Sequence, residues 1–279
     1  MNAFLKLMVV LACTLLVSTG CTTKKKTEPQ TVSPEQIDNS SEASSTDAEV
    51  PTGLTSQIEQ AHEKGAFLSR EAIQFDLVLT FGGKERLNGT ITTATNSSWG
   101  LIELSSGGKI YVDKNKVFCS PALADKKSVR FDAYTWTYFF LFPYKLSDPG
   151  TQWSAFSNGV IEGKLFNTQK LSFAAGIGDA PDDWYILFTD PETHVLEYVA
   201  YIVTAGKSQE EAEADPHAIQ YKQYKKVDEV PIAHEWVFWE WRKEKGVTRQ
   251  LGQATLSNVA FVSASPEFTE VPEGFVEIQ

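Results

Sequence analysis

Val129-Arg130-Phe131-Asp132-Ala133-Tyr134-Thr135-Trp136-Thr137-Tyr138-Phe139-Phe140-Leu141-Phe142-Pro143-Tyr144-Lys145-Leu146 is the most aromatic run in the chain. Phe131, Tyr134, Tyr138 and Phe142 keep the three-and-four spacing of one helical face, and Pro143 ends the pattern. The spacing predicts a helix over residues 129–142, followed by a turn at Asp148-Pro149-Gly150. A lid over an apolar cavity and a buried core helix both fit this segment, and aromatic stripes are usually core.

On both sides of this helix the period is two. Ile73, Phe75, Leu77 and Leu79 alternate along Ala72 to Phe81, and Gly82-Gly83-Lys84-Glu85 turns the chain back into Leu87–Thr93. Trp99–Leu104, Lys109–Val112 and Val117–Ser120 continue the meander. After the helix, strands are expected at Lys170–Ala175, Trp184–Thr189, His194–Thr204, Ala218–Val227, Trp236–Trp241 and Gln250–Ala264, with Phe275–Ile278 at the end. Trp184-Tyr185-Ile186-Leu187-Phe188 is apolar on both faces, which marks a central strand. Leu54–Leu68 reads as one helix, and Gln209–Asp215 as an acidic loop. Short strands around one aromatic helix define an α+β class, with a curved antiparallel sheet wrapped around a few helices.

The beginning of the chain has a different composition. Lys6 precedes an apolar run from Leu7 to Val17, then Ser18-Thr19-Gly20-Cys21. The run is too short to span a bilayer and suits a signal-peptide core. Gly-Cys after small residues resembles the bacterial lipobox, which implies removal of residues 1–20 and lipid attachment at Cys21. Two or three acyl chains, at about 0.8 kcal/mol per buried methylene, hold a protein firmly to a membrane. In Gram-negative lipoproteins an Asp after the lipidated Cys marks inner-membrane retention. Thr22 stands here, so the resemblance implies the outer membrane, and Lys24-Lys25-Lys26 favours its periplasmic leaflet. Residues 21–55 have no aromatic and few aliphatic residues and are expected to form a disordered tether to a domain at 56–279.

The chain carries 25 basic and 36 acidic residues, a formal charge of −11. Such a surface repels phosphate backbones, which disfavours nucleic acid as a partner. With Cys13 removed and Cys21 lipidated, Cys119 is left without an internal disulfide partner.

Enzyme chemistry finds little purchase. His62, His194, His217 and His234 keep no metal-ligand spacing, and there is no Cys-x-x-Cys or Gly-x-Ser-x-Gly. Gly176-Ile177-Gly178 lacks the helix a phosphate cradle needs, and Asp179, Asp182 and Asp183 read as a solvated acidic loop rather than a calcium site. His62, beside Glu59 and Glu63, is the best acid–base candidate, although a packing histidine is the commoner case. Trp236, Trp239 and Trp241 suit either a sugar platform or a strand buried on both faces. No catalytic residue, cofactor or metal is assigned.

The strand ending at Asp190-Pro191-Glu192-Thr193, the next strand Val195–Val203, and the segment Val230-Pro231-Ile232-Ala233-His234-Glu235-Trp236 together resemble the half-barrel group of LolA, LolB and LppX. Ala61-His62, Phe75-Asp76, Thr135 to Leu146 and Asp148-Pro149-Gly150-Thr151 resemble an uncharacterised lipoprotein family of Bacteroidota. The half-barrel resemblance implies a sheet curved around helices, an interior that holds acyl chains, and no catalytic residues. On that basis the chain is expected to be a non-enzymatic envelope lipoprotein for a lipid or other apolar ligand. Phe131, Tyr134, Tyr138, Phe142, Trp184, Ile186 and Tyr198 are the expected cavity lining. The competing expectations are an interaction module of an envelope assembly and a hydrolase.

Overall fold

Strand alternation pays off only if one face of every strand meets the same core, and a single helix supplies that core here. In the computed structural model, which describes residues 53–279, the chain begins with α1 (Leu54–Ala61) and α2 (Lys64–Leu68). Five strands follow: β1 (Ala72–Phe81), β2 (Lys84–Ala94), β3 (Trp99–Leu104), β4 (Lys109–Asp113) and β5 (Lys116–Cys119). The aromatic helix α3 (Val129–Leu141) separates them from β6 (Thr151–Trp153), β7 (Ser157–Ile161), β8 (Lys164–Phe173), β9 (Tyr185–Thr189) and β10 (Leu196–Tyr201). Then come α4 (Gln209–Ala214), β11 (His217–Val227), β12 (Val230–Arg242), β13 (Gly246–Val262), α5 (Pro266–Thr269) and β14 (Val276–Ile278). The expected signal segment, Cys21 and most of the expected tether lie outside the described residues.

All strands join one open 14-stranded sheet in the order β14-β5-β4-β3-β2-β1-β13-β12-β11-β10-β9-β8-β6, with β7 also on β8. Every pairing is antiparallel. β1 pairs with both β2 and β13, so it joins the first meander to the second. The sheet must curve, because α3 touches strands from both halves. Phe140 stacks on Phe75 of β1, Trp136 meets Phe238 of β12, Phe139 meets Tyr201 of β10, and Tyr138 meets Tyr185 of β9. The α+β half-barrel expected from the alternation is the architecture observed.

Glycine lets the strands coil tightly. A Cβ on Gly89 would lie 2.2 Å from the Glu103 carbonyl oxygen, and one on Gly252 would lie 2.3 Å from that of Thr80. In both places neighbouring backbones approach too closely for any side chain.

Three expectations need correction. The helix predicted over 54–68 is two helices, because Glu63 takes a left-handed conformation (φ 53°) between them. The predicted acidic loop contains α4. Ser208 and Glu211 form a reciprocal capping box there, and buried Ala212 anchors it. Residues 157–161, assigned no structure, form β7, which turns at Glu162-Gly163 into β8.

The β7–β8 hairpin adds a second layer on the outer face of the sheet. Its Ile161 and Phe166 pack with Phe188, Tyr198, Ala200, Ala218 and Trp241 in a core separate from the one around α3. A Cβ on Gly159 would sit 2.9 Å from the Phe188 ring, so the hairpin backbone rests directly on that side chain. The C-terminal segment covers the other half of the outer face. Phe268 stacks on Trp99, Tyr111 donates to the Glu267 carbonyl, and Phe275 meets the Tyr111 ring edge-on.

Candidate functional site

The seven expected cavity residues divide between the two faces of the sheet. Phe131, Tyr134, Tyr138 and Phe142 lie in or against the inner core, whereas Trp184, Ile186 and Tyr198 belong to the outer one. Strand alternation is the reason: Tyr185 and Leu187 of β9 point inward, which turns Trp184 and Ile186 outward. One cavity lined by all seven is therefore excluded.

Beneath α3 the interior is packed. Phe142 is fully buried, with its ring centroid 5.5 Å from that of Tyr138 and 5.2 Å from that of Tyr185. The void among His62, Phe140, Tyr144, Tyr221, Tyr224 and Trp236 measures about 10 Å³, room for one water-sized sphere and too little for a hydrocarbon chain. The helix is core along this length, but through buried Trp136, Phe139 and Phe140; Phe131, Tyr134 and Tyr138 of the expected stripe are only partly buried.

Space opens at the other end of the helix. A cleft of about 250 Å³ lies between β2, β3, β4 and the segment entering α3. Leu87, Leu104, Ile110, Leu123 and Val129 give it apolar walls, while Glu85, Arg86, Asn88, Ser106, Lys126, Ser128 and Asp132 supply polar groups. Arg86 approaches Asp132 to 2.7 Å, and the Trp136 indole N–H donates to the same carboxylate at 2.8 Å. The Arg86 guanidinium also lies 5.8 Å from the Phe131 ring centre and 5.9 Å from that of Trp136. Phe131 thus helps hold the arginine that forms one wall.

Sequence reasoning passed over these residues because they come from ordinary-looking strands and a charged loop. Leu123, an isolated aliphatic just before Asp125-Lys126-Lys127, was the available signal. The Pro121–Leu123 turn buries it, and a Cβ on Gly108 would come within 3.0 Å of its methyl group.

The first turn of the same helix is also tied down. Arg130 of α3 donates to both carboxylate oxygens of Asp179 and to the Ile278 carbonyl. It thereby links the loop after β8 to β14, which lie at opposite ends of the sheet.

The acid–base candidates are placed for structure. His62 is fully buried, and its Nε2 accepts the Leu196 backbone N–H at 3.1 Å. Burial lowers its pKa from 6.5 to about 3, so the ring is neutral at physiological pH. His234 Nδ1 lies 3.0 Å from the Ile232 carbonyl. Asp183 accepts from the Thr204 backbone N–H and hydroxyl, and burial raises its carboxyl pKa. Burial also raises the Cys119 thiol, so the reactive thiolate is disfavoured. Trp236 points into the inner core, and Trp239 and Trp241 into the outer one, so they share no platform. Among the described residues, no group of three His, Cys, Asp or Glu side chains is placed to hold a metal.

With the geometry established, known proteins offer a comparison. A LolA-superfamily protein from Nitrosomonas europaea has a similar fold, with TM-score 0.51 and 8% identity over 75% of this chain and 96% of that chain. A DUF1329 family protein from Desulfovibrio piger gives TM-score 0.48 and 8% identity over 76% of this chain and 95% of that one. No curated protein matches the sequence. The pattern of DUF6503, a family of unknown function, matches residues 72–246, more than half of the chain, and the protein belongs to that family.

Proposed function

We propose that this protein is a non-enzymatic envelope lipoprotein that binds a lipid or another apolar ligand in the cleft at the start of α3. The cleft is the observation behind this reading: apolar walls end at a rim carrying Lys126, Ser106 and Ser128. At about 250 Å³ it falls just below the roughly 300–1,000 Å³ of drug-sized sites, which suits one narrow chain rather than a bulky ring system. The half-barrel likeness agrees with such a role. Lipid attachment at Cys21 and display on the periplasmic face of the outer membrane complete the proposal. Among the described residues, no helix is long and apolar enough to cross a membrane.

Two measurements test this. Organic extraction of the purified protein, followed by mass spectrometry, should recover a bound amphiphile. A fluorescent fatty acid should bind, and Val129→Trp, which fills the cleft from α3, should weaken its binding at least tenfold, the effect of losing about 1.4 kcal/mol. Absence of any bound amphiphile together with no fatty-acid binding would sink the ligand reading. Separately, mass spectrometry of the purified protein should find residues 1–20 removed and acyl chains on Cys21, and Cys21→Ser should abolish both; an unmodified Cys21 would refute the anchor.

A second reading, an interaction module in an envelope assembly, is favoured by one observation: Phe156, Val160 and Leu165 are exposed together around the β7–β8 hairpin.

A further inference from the structure

The sheet splays where β10 parts from β11. Their pairing runs from Tyr201↔His217 to Tyr198↔Gln220 and ends there, although β11 continues to Val227. Beyond that point Leu196 meets side chains instead of a strand. Its N–H donates to His62 Nε2 at 3.1 Å, and its carbonyl accepts the Tyr224 hydroxyl at 2.8 Å. Gln223 takes a left-handed conformation (φ 54°), which interrupts the alternation of β11, so Tyr224 as well as Tyr221 packs on the inner core. His62, at the end of α1, reaches the same gap from the helical side.

The other ring nitrogen of His62 sets the requirement. A neutral imidazole carries one hydrogen, and Nε2 commits its lone pair to the Leu196 N–H, so the hydrogen sits on Nδ1. Among the described residues that Nδ1–H has no acceptor, and the side chain carrying it is fully buried. The void of about 10 Å³ borders the same ring, and Tyr144, Tyr224 and Pro231 border it too. The Tyr144 ring lies edge-on to the imidazole with centroids 6.4 Å apart, and the Tyr224 ring lies at 5.6 Å. The Tyr224 hydroxyl has given its hydrogen to Leu196 and can still accept. The Tyr144 hydroxyl is 3.5 Å from the Pro231 carbonyl, too long for a strong direct bond. An unmatched donor, two oxygen acceptors and room for one small sphere are what a buried water needs.

We infer that this void is a binding site for one water molecule, which accepts the His62 Nδ1–H and donates to the Tyr224 and Tyr144 hydroxyl oxygens. About three hydrogen bonds are the usual complement of an internal water. The site is too small for a larger ligand and is separate from the cleft at the start of α3. The water replaces ladder bonds that β10 and β11 do not make at Leu196. It also fastens the end of α1 to the sheet and to the turn Phe142–Tyr144.

A high-resolution crystal structure of the purified protein should show one water within about 3.2 Å of Nδ1 and of both hydroxyl oxygens. Nitrogen-15 NMR at neutral pH should find the imidazole hydrogen on Nδ1, with a cross-peak to water. Tyr144→Phe keeps the ring that stacks on Phe67 and removes one acceptor, whereas His62→Phe removes the donor. Both act on one shared water, so their effects on urea unfolding should depart from additivity by at least about threefold in the folded-to-unfolded ratio. A void without water density, or one that takes up xenon as an apolar cavity does, would overturn the inference. So would the opposite tautomer, a direct protein partner for Nδ1, or strict additivity of the two substitutions. Crystallography and NMR use the unaltered protein, so the inference stays testable even if a variant fails to fold.

Discussion

Acidification from pH 6.5 to pH 3 should remove about 5 kcal/mol of stability through His62 alone. The imidazole titrates near 6.5 in the unfolded chain and near 3 in the folded one, since burial disfavours its charged form. Between those values the unfolded state binds the extra proton, so stability falls as pH falls. The contribution is intact above pH 6.5, declines by about 1.4 kcal/mol per unit below it, and levels off near pH 3. The local geometry explains the cost: Nε2 already accepts the Leu196 N–H, and a protonated ring would have to donate there instead. Other groups shape the same curve. His217, lowered mainly by burial, acts in the same direction. Asp190 is held near 2, chiefly by the Thr193 backbone N–H, and adds acid sensitivity below its ordinary 3.8. Asp183, raised by burial, acts in the opposite sense. Urea unfolding across pH 3–8 measures the slope. His62→Gln, whose amide oxygen can accept the Leu196 N–H without titrating, should flatten it by about 1 kcal/mol per unit between pH 4 and 6. An unchanged slope in that variant would show that His62 is not the sensor.

Phe142→Ala should cost about 3–5 kcal/mol, or roughly 10 °C in Tm. The ring is fully buried between Tyr138 and Tyr185, and the packed interior has little means of collapsing around the deletion. Phe131→Ala should cost less, because that side chain is only partly buried and borders the cleft through Arg86. The pair separates two views of α3. A detachable lid would make both substitutions mild, whereas a helix fixed at its C-terminal end makes the first severe. Thermal unfolding of the two variants decides between them.

The half-barrel was legible because alternation along residues such as Ile73, Phe75, Leu77 and Leu79 has one physical cause, a single buried face. The helix was legible from its aromatic run, but its period marked the wrong face: Trp136, Phe139 and Phe140 are buried, while Phe131, Tyr134 and Tyr138 are only partly so. Other features left weaker marks. Strand β7 has only Val160 and Ile161 as aliphatics, and one of them is exposed, so it shows no alternation to read. The break at Glu63 is set by packing around buried His62 and Phe67, without a proline or glycine at the break itself. The capping box of α4 was present as Ser208 and Glu211, but the surrounding acids hid it. Double-sided apolarity in Trp184 to Phe188 correctly indicated burial on both faces, yet it could not say that two different cores were involved. The cleft was the least legible of all, because a space is defined by where side chains stop.

The pairing of β1 with β13 has a kinetic consequence. Ala72 must find Val262 and Phe81 must find Gly252, contacts separated by more than half of the chain. Until residues 246–262 have been made and delivered, β1 has one bare edge and the two meanders cannot share a core. Such distant partners make folding slow and leave partly assembled sheets open to capture by other strands. Newly made molecules should therefore spend their most aggregation-prone interval waiting for β13, and substitutions that weaken this one ladder should reduce yield before they reduce the stability of the finished protein.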